Sequence, residues 1–204
     1  MSFKFLKRGF LASFVFMMSL VASPVSNFVI KNEDVLPKKT VDKINEMGSE
    51  LKEKTGINVY LAAIKNSHNA KIKEYEKNLT TSLQKPYILL TILLDSKKVD
   101  IVASDKAKGS FDREQVLSPW PWSGTIIPLL TSRSKDQKAA IEAALLNGYA
   151  DIVDQVASSY NVELKSSIGS GNKNTYLFVK LLFYGTLFLI FANFLYHKFY
   201  KNKK

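Results

Sequence analysis

The chain has no cysteine, and only two of its 204 residues are histidine. The absence of cysteine excludes disulfide bonds, thiolate zinc sites and a cysteine nucleophile. A serine–histidine–aspartate triad would have to use His68, because His197 lies in a basic run at the end of the chain. His68 follows Ser67 at a predicted helix start, where a surface or capping role is favoured over catalysis. Two histidines also cannot build a histidine-rich metal site.

Acidic residues are missing from both ends of the chain, although the whole chain carries a formal net charge of +11. Residues 27–174 hold all 18 acidic residues and 21 of the 29 Lys and Arg, so this part carries only +3. The other basic residues flank apolar segments near the ends, where they set membrane orientation and meet anionic lipid headgroups. This distribution argues against nucleic acid as a partner.

The N-terminal residues 1–26 predict an export signal. Lys4, Lys7 and Arg8 precede an apolar stretch that runs to about Ala22, which is the usual order in a signal peptide. Pro24 would follow the predicted cleavage site and should block the peptidase. A cleaved signal and a retained N-terminal anchor therefore both stay open.

The C-terminal residues 176–196 predict a transmembrane helix followed by a basic tail, 197–204. A helix of 21 residues is roughly 32 Å long at ~1.5 Å per residue, enough to cross a bilayer. Lysines beside a membrane segment favour the cytoplasmic side. We therefore expect a protein of the bacterial inner membrane with its C-terminus in the cytoplasm and its central domain in the periplasm.

The residues between the two ends predict the order helix–strand–helix–strand–strand–helix–helix. Helical spacing of apolar residues, short apolar runs and turn residues support this order. It suits an α/β fold, a single layered α/β/α domain with a mixed sheet over 27–165. Ser, Gly, Asn and Lys dominate 166–175, which predicts a flexible linker. The predicted helices are 37–55, 68–85, 111–117 and 136–160, and the predicted strands are 57–64, 87–94 and 98–103.

Five stretches within residues 34–165 are distinctive. They open and close the first helix, lie on the second helix, form the strand hairpin and lie on the last helix: Leu36–Pro37, Thr55–Gly56, Tyr75 with Leu79, Ile88–Leu94 with Asp95–Ile101, and Asn147–Ala150. Over these residues the pattern resembles the TPM domain. That family includes thylakoid-lumen photosystem-repair proteins and many membrane-anchored bacterial proteins, whose export signal and trailing membrane helix match the layout here.

The resemblance implies divided functions. Some plant members are described as acid phosphatases or calcium-binding proteins, whereas others act as assembly, repair or auxiliary factors. The family commonly carries an acidic residue, Asn or Asp, and Gly before the second strand, where this chain has Lys85–Tyr87. The glycine-containing turn after the third strand is replaced by Ser104–Lys106. A lysine in place of an acid disfavours a cation, so no family site is transferred.

Carboxylates are the one source of catalytic groups in the chain. Calcium or magnesium needs several converging oxygens, and the loop with Asp105, Asp112 and Glu114 supplies candidate metal ligands. Metal-bound water could carry out hydrolysis there. Interleaved lysines favour an ordinary solvated surface instead. Asp151 and Asp154 are neighbours on one face of the last helix.

The two tryptophans of the chain, Trp120 and Trp122, each follow a proline in the loop 118–124. Two indoles on a stiffened loop are typical of a surface that anchors a protein partner or enters the membrane interface. The alternative is that they cover the edge of the core, with the apolar residues 126–130 behind them.

Asn78 lies in the stretch Glu76–Thr80, which fits the acidic-x-Asn-x-Ser/Thr acceptor of some bacterial periplasmic glycosylation systems. Five-residue patterns of this kind arise often by chance, and this one lies on a predicted helix. Glycosylation of Asn78 is a hypothesis that the intact mass of the native protein and of Asn78→Gln would test.

Two hypotheses from different classes follow. The first is a membrane-tethered periplasmic binding module, an assembly, maintenance or auxiliary factor for a membrane-protein complex of the inner membrane, with membrane lipid as a further contact. It has no assigned catalytic residue and no cofactor beyond the calcium or magnesium considered above. The alternative is a metal-dependent acid phosphatase of the TPM type. The missing His and Cys chemistry favours the non-enzymatic role.

Overall fold

The computed structural model describes residues 27–67, 71–169, 181–193 and 195. Three predictions concern residues outside this set: the signal or anchor at 1–26, the role of His68, and the basic tail at 197–204. Most of the predicted linker and both ends of the predicted transmembrane helix also lie outside it.

A four-stranded mixed sheet forms the centre of the domain, with strand order β1-β2-β3-β4. The strands are β1 (Val29–Asn32), β2 (Asn58–Ile64), β3 (Tyr87–Leu93) and β4 (Lys98–Ala103). The first three are mutually parallel, and β4 runs antiparallel to β3. The mixed α/β fold is thereby confirmed. Strand β1 was not predicted, because its four residues are too short for a clear alternation and two of them are exposed.

Five α-helices lie between residues 38 and 159 of the described chain, together with a short 3-10 helix at Lys108–Ser110. Gly56 adopts the left-handed conformation (φ 74°) that ends α1, as the sequence predicted. Asp136 caps α5 by accepting a hydrogen bond from the Ala139 backbone. The helices are α1 (Lys38–Thr55), α2 (Ile72–Thr80), α3 (Arg113–Val116), α4 (Ile127–Leu130) and α5 (Gln137–Ser159).

Helices α1 and α5 cover one face of the sheet and form the main core with it. The apolar stripe of α1 meets the large buried Tyr149 of α5, whose hydroxyl donates to the Val59 carbonyl at 2.8 Å. Two glycines permit close packing on this side of the sheet, Gly48 of α1 against Tyr149 and Gly148 of α5 against Ile126. A Cβ at Gly48 would lie 2.5 Å from the Tyr149 hydroxyl oxygen, and one at Gly148 would lie 2.3 Å from an Ile126 carbon. This side of the sheet is therefore tightly packed.

Helix α2 contacts β3 and β4. Leu90 and Ile92 of β3 belong to the α1–α5 core, so the alternating Thr91 points to the opposite, α2 side. The one buried residue of α2 is Glu76. Helix α2 begins at Ile72, four residues after the predicted start at 68, and its N-cap position is Lys71. The Ser67 hydroxyl donates to the Asp95 carboxylate at 2.7 Å.

The contacts of the domain continue past the predicted boundary at 165. Leu164 packs against the core and Ser166 is buried. Glu50 accepts hydrogen bonds from the backbone N–H groups of Lys165 and Ser166, both at 2.8 Å. Burial of Glu50 raises the pKa of its carboxyl group. The hydrogen bonds from Lys54, Lys165 and Ser166 outweigh that effect and lower the pKa to about 2. Residues 166–169 are therefore docked on the domain.

Residues 181–193 are helical, and their large apolar side chains are exposed. Among the residues that the structure describes, no helix is both long enough and apolar enough to span a membrane. The predicted span, 176–196, extends beyond the described part of this helix at both ends.

Candidate functional site

The three carboxylates predicted as metal ligands are not brought together. Asp105 is exposed and pairs with Lys108, with 2.8 Å between carboxylate oxygen and ammonium nitrogen. Asp112 caps α3 by accepting a hydrogen bond from the Gln115 backbone at 2.9 Å. Glu114 points into solvent from α3. Within 27–67, 71–169 and the described part of the C-terminal helix, no three Asp, Glu or His side chains group closely enough to hold a metal ion.

The two stretches that depart from the family pattern meet at one edge of the sheet. The Ser104 backbone N–H donates to the Tyr87 carbonyl, and the Tyr87 N–H donates to the Ser104 hydroxyl, both at 2.9 Å. Lys85 and Lys106 line a cleft of about 540 Å³ at this edge. The hydrogen bond from the Lys108 side chain lowers the pKa of Asp105. This end of the sheet thus places two lysines beside a single carboxylate, Asp105.

Trp120 and Trp122 lie on the surface, 57% and 80% exposed. Their rings stack on each other, with centroids 5.1 Å apart and planes 17° apart. Neither indole is buried at the core edge, so that alternative is wrong. Exposed stacked indoles leave one face of each ring open to solvent.

Hydrogen bonds close the loop that carries the two indoles, which we call the Trp loop (118–124). Gly124 donates its backbone N–H to the Trp120 carbonyl at 2.7 Å, and the Ser118 and Ser123 hydroxyls lie 2.7 Å apart. The Gln115 side chain donates to the Ser123 carbonyl at 2.6 Å. A Cβ at Gly124 would lie 1.7 Å from the Ser118 carbonyl oxygen. Only glycine fits there, so the loop is closed tightly while its indoles stay outside.

A cleft of about 690 Å³ lies beside the Trp loop, and we call it the α5 cleft. Pro121 of the Trp loop and Leu129 of α4 form apolar parts of its wall, and α5 contributes Asn147, Asp151 and Asp154. Among the described residues that line it, the two aspartates are the only charged ones. The cleft therefore combines apolar walls with an acidic floor.

Neighbouring side chains hold the two aspartates in place. The Thr125 hydroxyl donates to one oxygen of Asp151, and the Gln155 amide donates to the other at 3.0 Å. The Ser167 hydroxyl donates to Asp154. An ionised carboxylate has about four acceptor positions, so the two hydrogen bonds to Asp151 leave room for a further donor.

The sequence indicated single components of this site but not their assembly. Trp120 and Trp122 were predicted as a contact, and Asp151 and Asp154 were seen to share a helix face. The cleft that brings Pro121 of the Trp loop beside the two aspartates depends on the return of the chain at 168–169 and on the packing of α4 against α5. No periodicity in the sequence reports such long-range contacts.

Asn78, the predicted glycosylation site, is exposed on α2. The Thr80 hydroxyl of the same pattern donates to the Lys77 carbonyl at 3.2 Å. An acceptor pattern on a formed helix differs from the loop setting that is usual for glycosylation. Glycosylation of Asn78 stays a prediction.

Similarity to one solved structure supports the fold. The N-terminal domain of a protein from P. gingivalis, determined by solution NMR, superimposes with a TM-score of 0.53 at 10% identity. The match covers 69% of this chain and 88% of that one. The BA42 protein from the psychrophilic bacterium Bizionia argentinensis is 12% identical, with 68% of this chain and 97% of that chain covered and a TM-score of 0.42.

Sequence comparison gives one family. No curated protein matches the chain. The family model described as the TPM domain matches residues 29–119, from the first residue of β1 to the first proline of the Trp loop. Residues 29–119 of this chain thus match the TPM domain family, which confirms the resemblance seen in the sequence.

Proposed function

We propose that this protein is a membrane-tethered binding module whose TPM domain acts outside the cytoplasm as an assembly, maintenance or auxiliary factor for a membrane-protein complex. The single observation that carries the proposal is the pair of exposed, stacked indoles on a closed loop. Tryptophan is enriched among the residues that dominate protein interfaces. A loop already fixed in shape loses little conformational entropy on binding.

The C-terminal helix supports the tether. Its large side chains from Leu181 to Phe191 are apolar and more than half exposed, a composition that a lipid surrounding satisfies better than water. Basic residues follow it in the sequence, as expected on the cytoplasmic side of an anchor. A tether raises the local concentration of the domain near membrane partners, so modest contacts can suffice.

The alternative, a metal-dependent acid phosphatase, draws its support from the family resemblance alone. Its candidate ligands Asp105, Asp112 and Glu114 each have another environment in the structure. The edge at which the family pattern is altered carries lysines. No specific observation favours the phosphatase over the binding module.

Replacing both Trp120 and Trp122 by Ala tests the contact. The double variant should lose most partner co-purification from solubilised membranes, because the two rings supply the exposed apolar area of the loop. Its melting temperature should stay nearly unchanged, since surface substitutions usually cost within about 0.5 kcal/mol. Tyr160→Ala is the matched control, an exposed aromatic residue away from the loop. Equal co-purification by both variants would contradict the proposed contact.

Two measurements test the tether independently. Full-length protein should stay in the membrane fraction after alkaline carbonate washing. A periplasmic reporter fused after Ser170 should be active, whereas a cytoplasmic reporter at that position should be silent. Release by carbonate, or activity only in the cytoplasm, would overturn the placement of the domain.

A further inference from the structure

We infer that the Trp loop and the α5 cleft form one docking surface for a basic protein segment, with an Arg or Lys side chain of the partner entering the cleft. This inference rests on the proposed binding function and adds the chemistry of the partner. The loop and the cleft are joined physically, because Pro121, between the two tryptophans, forms part of the cleft wall.

The charge inside the cleft selects the sign of the partner. Residues 27–174 as a whole carry +3, yet the charged residues in the described cleft lining are Asp151 and Asp154. The cleft is therefore a locally acidic place that attracts a basic segment. Such local complementarity gives specificity and orientation more than raw affinity.

The shape of the cleft suits a long side chain with a charged end. Pro121, Leu129 and Ile168 supply apolar wall, against which the methylene stem of Arg or Lys can pack. At the floor, Asp151 has acceptor positions beyond those taken by Thr125 and Gln155. A guanidinium is planar and donates in a fork, so it fits a carboxylate in this position.

The exposed indoles offer a second position at which a cation of the partner can bind. Each ring keeps one open face because the two rings stack on each other. Cations bind to the face of an indole more favourably than to other aromatic rings. A segment with successive basic and small residues could therefore place one cation in the α5 cleft and another on an indole.

The acidic floor disfavours a lipid surface as the occupant. Bacterial and other cellular membranes expose anionic headgroups, which attract basic patches and repel carboxylates. The basic groups of the domain edge, Lys85 and Lys106, line a different cleft. The indoles alone would suit a membrane interface, but the cleft beside them would not.

The test uses purified full-length protein in detergent and a short capped peptide of alternating arginine and alanine. Because the chain has only two tryptophans, both in the Trp loop, tryptophan emission excited selectively over the nine tyrosines reports on this surface. The peptide should change the emission in a saturable, salt-sensitive manner. Calorimetry of the same titration gives a readout that does not depend on the indoles.

Two variants give the decisive comparison. Asp151→Asn with Asp154→Asn keeps the side-chain shape but removes both charges and replaces one acceptor oxygen of each carboxylate by a donor. It should weaken the Kd by about tenfold or more, equivalent to about 1.4 kcal/mol or more. Asp42→Asn, an exposed position on α1 away from the α5 cleft, should leave the Kd unchanged. Melting curves of both variants establish that they are folded.

Three results would overturn the inference. They are no binding of the arginine peptide, equal binding of a glutamate–alanine peptide, and unchanged binding by the double Asn variant. An emission change with anionic phospholipid vesicles, but not with the peptide, would also overturn it and assign the loop to the membrane. The proposed function would survive any of these results if the tryptophan variants still lost their partner.

Discussion

The two faces of the sheet are built on different principles. On the α1–α5 side, helices pack through glycine contacts, and the buried Tyr149 hydroxyl is hydrogen-bonded to Val59. On the α2 side, one short helix buries a single residue, Glu76, which is 3% exposed. Neither carboxylate oxygen of Glu76 has a hydrogen-bond partner.

A chain of charged pairs joins α2 to β4 and α3. Lys73 lies 3.3 Å from Glu76 and also pairs with Asp100 of β4, which in turn pairs with Arg113 of α3. Burial and the neighbouring Asp100 raise the pKa of Glu76 despite Lys73. The comparison shows that the larger apolar cluster lies on the α1–α5 face. The Trp loop and the α5 cleft lie on that side, where tight packing holds a binding surface in shape.

Gly48→Ala should have the largest effect, on the tightly packed side. The added methyl group would lie 2.5 Å from the Tyr149 oxygen and 2.6 Å from a Phe28 ring carbon. Overpacking costs about 1–3 kcal/mol, while replacing a helical glycine by alanine returns up to about 1 kcal/mol. We expect a net loss of about 1–2 kcal/mol in the free energy of unfolding, measured by urea titration.

Gly109→Ala is the matched control for that prediction. No atom lies within 4 Å of a Cβ built at Gly109, so the free energy of unfolding should change by less than about 0.5 kcal/mol. A Gly48→Ala variant as stable as the wild type would show that the α1–α5 packing is looser than described.

Glu50→Gln should have an intermediate effect, where residues 165–166 dock on α1. The variant loses the charge that four donors from Lys54, Lys165 and Ser166 share. Hydrogen bonds to a charged group contribute about 1.5–3 kcal/mol, and glutamine keeps part of them, so we expect a loss of about 1 kcal/mol. Faster hydrogen exchange at the Lys165 and Ser166 amides would report the release directly.

The pH dependence of this contact has a definite sign. The pKa of Glu50 is lowered from 4.5 to about 2. Its stabilising contribution is therefore complete above pH 4.5 and is lost as the pH falls from there through about 2.

The exposed Glu53 of α1 provides the control for the exchange experiment, because Glu53→Gln should keep the wild-type exchange rates. Equal exchange in both variants would contradict the docking of this segment.

Glu76→Gln should have the smallest effect at neutral pH, and the sign should be opposite. The raised pKa of Glu76 means that its ionisation opposes folding. Its contribution is most favourable below pH 4.5 and is lost as the pH rises through the raised pKa. Glutamine cannot ionise, so the variant avoids the cost of ionising a buried carboxyl group. Its free energy of unfolding at pH 7 should equal or exceed that of the wild type and should vary less with pH. A strongly destabilised variant would mean that the charge of Glu76 holds α2 in place.

Much of the fold could be predicted because local signals and tertiary structure agree. The start of α1 at Pro37, its end at Gly56 and the strands around Asp95 follow residue preferences that packing leaves unchanged. The long α5 agrees with its predicted bounds within one residue at each end. Residues 29–119 matched the expected family.

The remaining features depend on distant contacts. Strand β1 exists because β2 supplies its hydrogen-bonding partner in parallel register. The Ser67 hydroxyl donates a hydrogen bond to Asp95, which lies 28 residues away in the sequence. Residues 166–169 have the composition of a linker, but they dock on the domain through hydrogen bonds to Glu50 and Asp154. None of these partners is visible in a local sequence window.

Site-specific photo-crosslinking in intact cells is the most direct test of the account. A photoreactive phenylalanine analogue would replace Trp122, and in a control strain it would replace the exposed Tyr160. We predict that position 122 yields a discrete adduct with an integral membrane protein and that position 160 does not. Adducts of equal yield from both positions, or adducts with lipid alone at position 122, would contradict the claim that the Trp loop is the protein-docking surface of this domain.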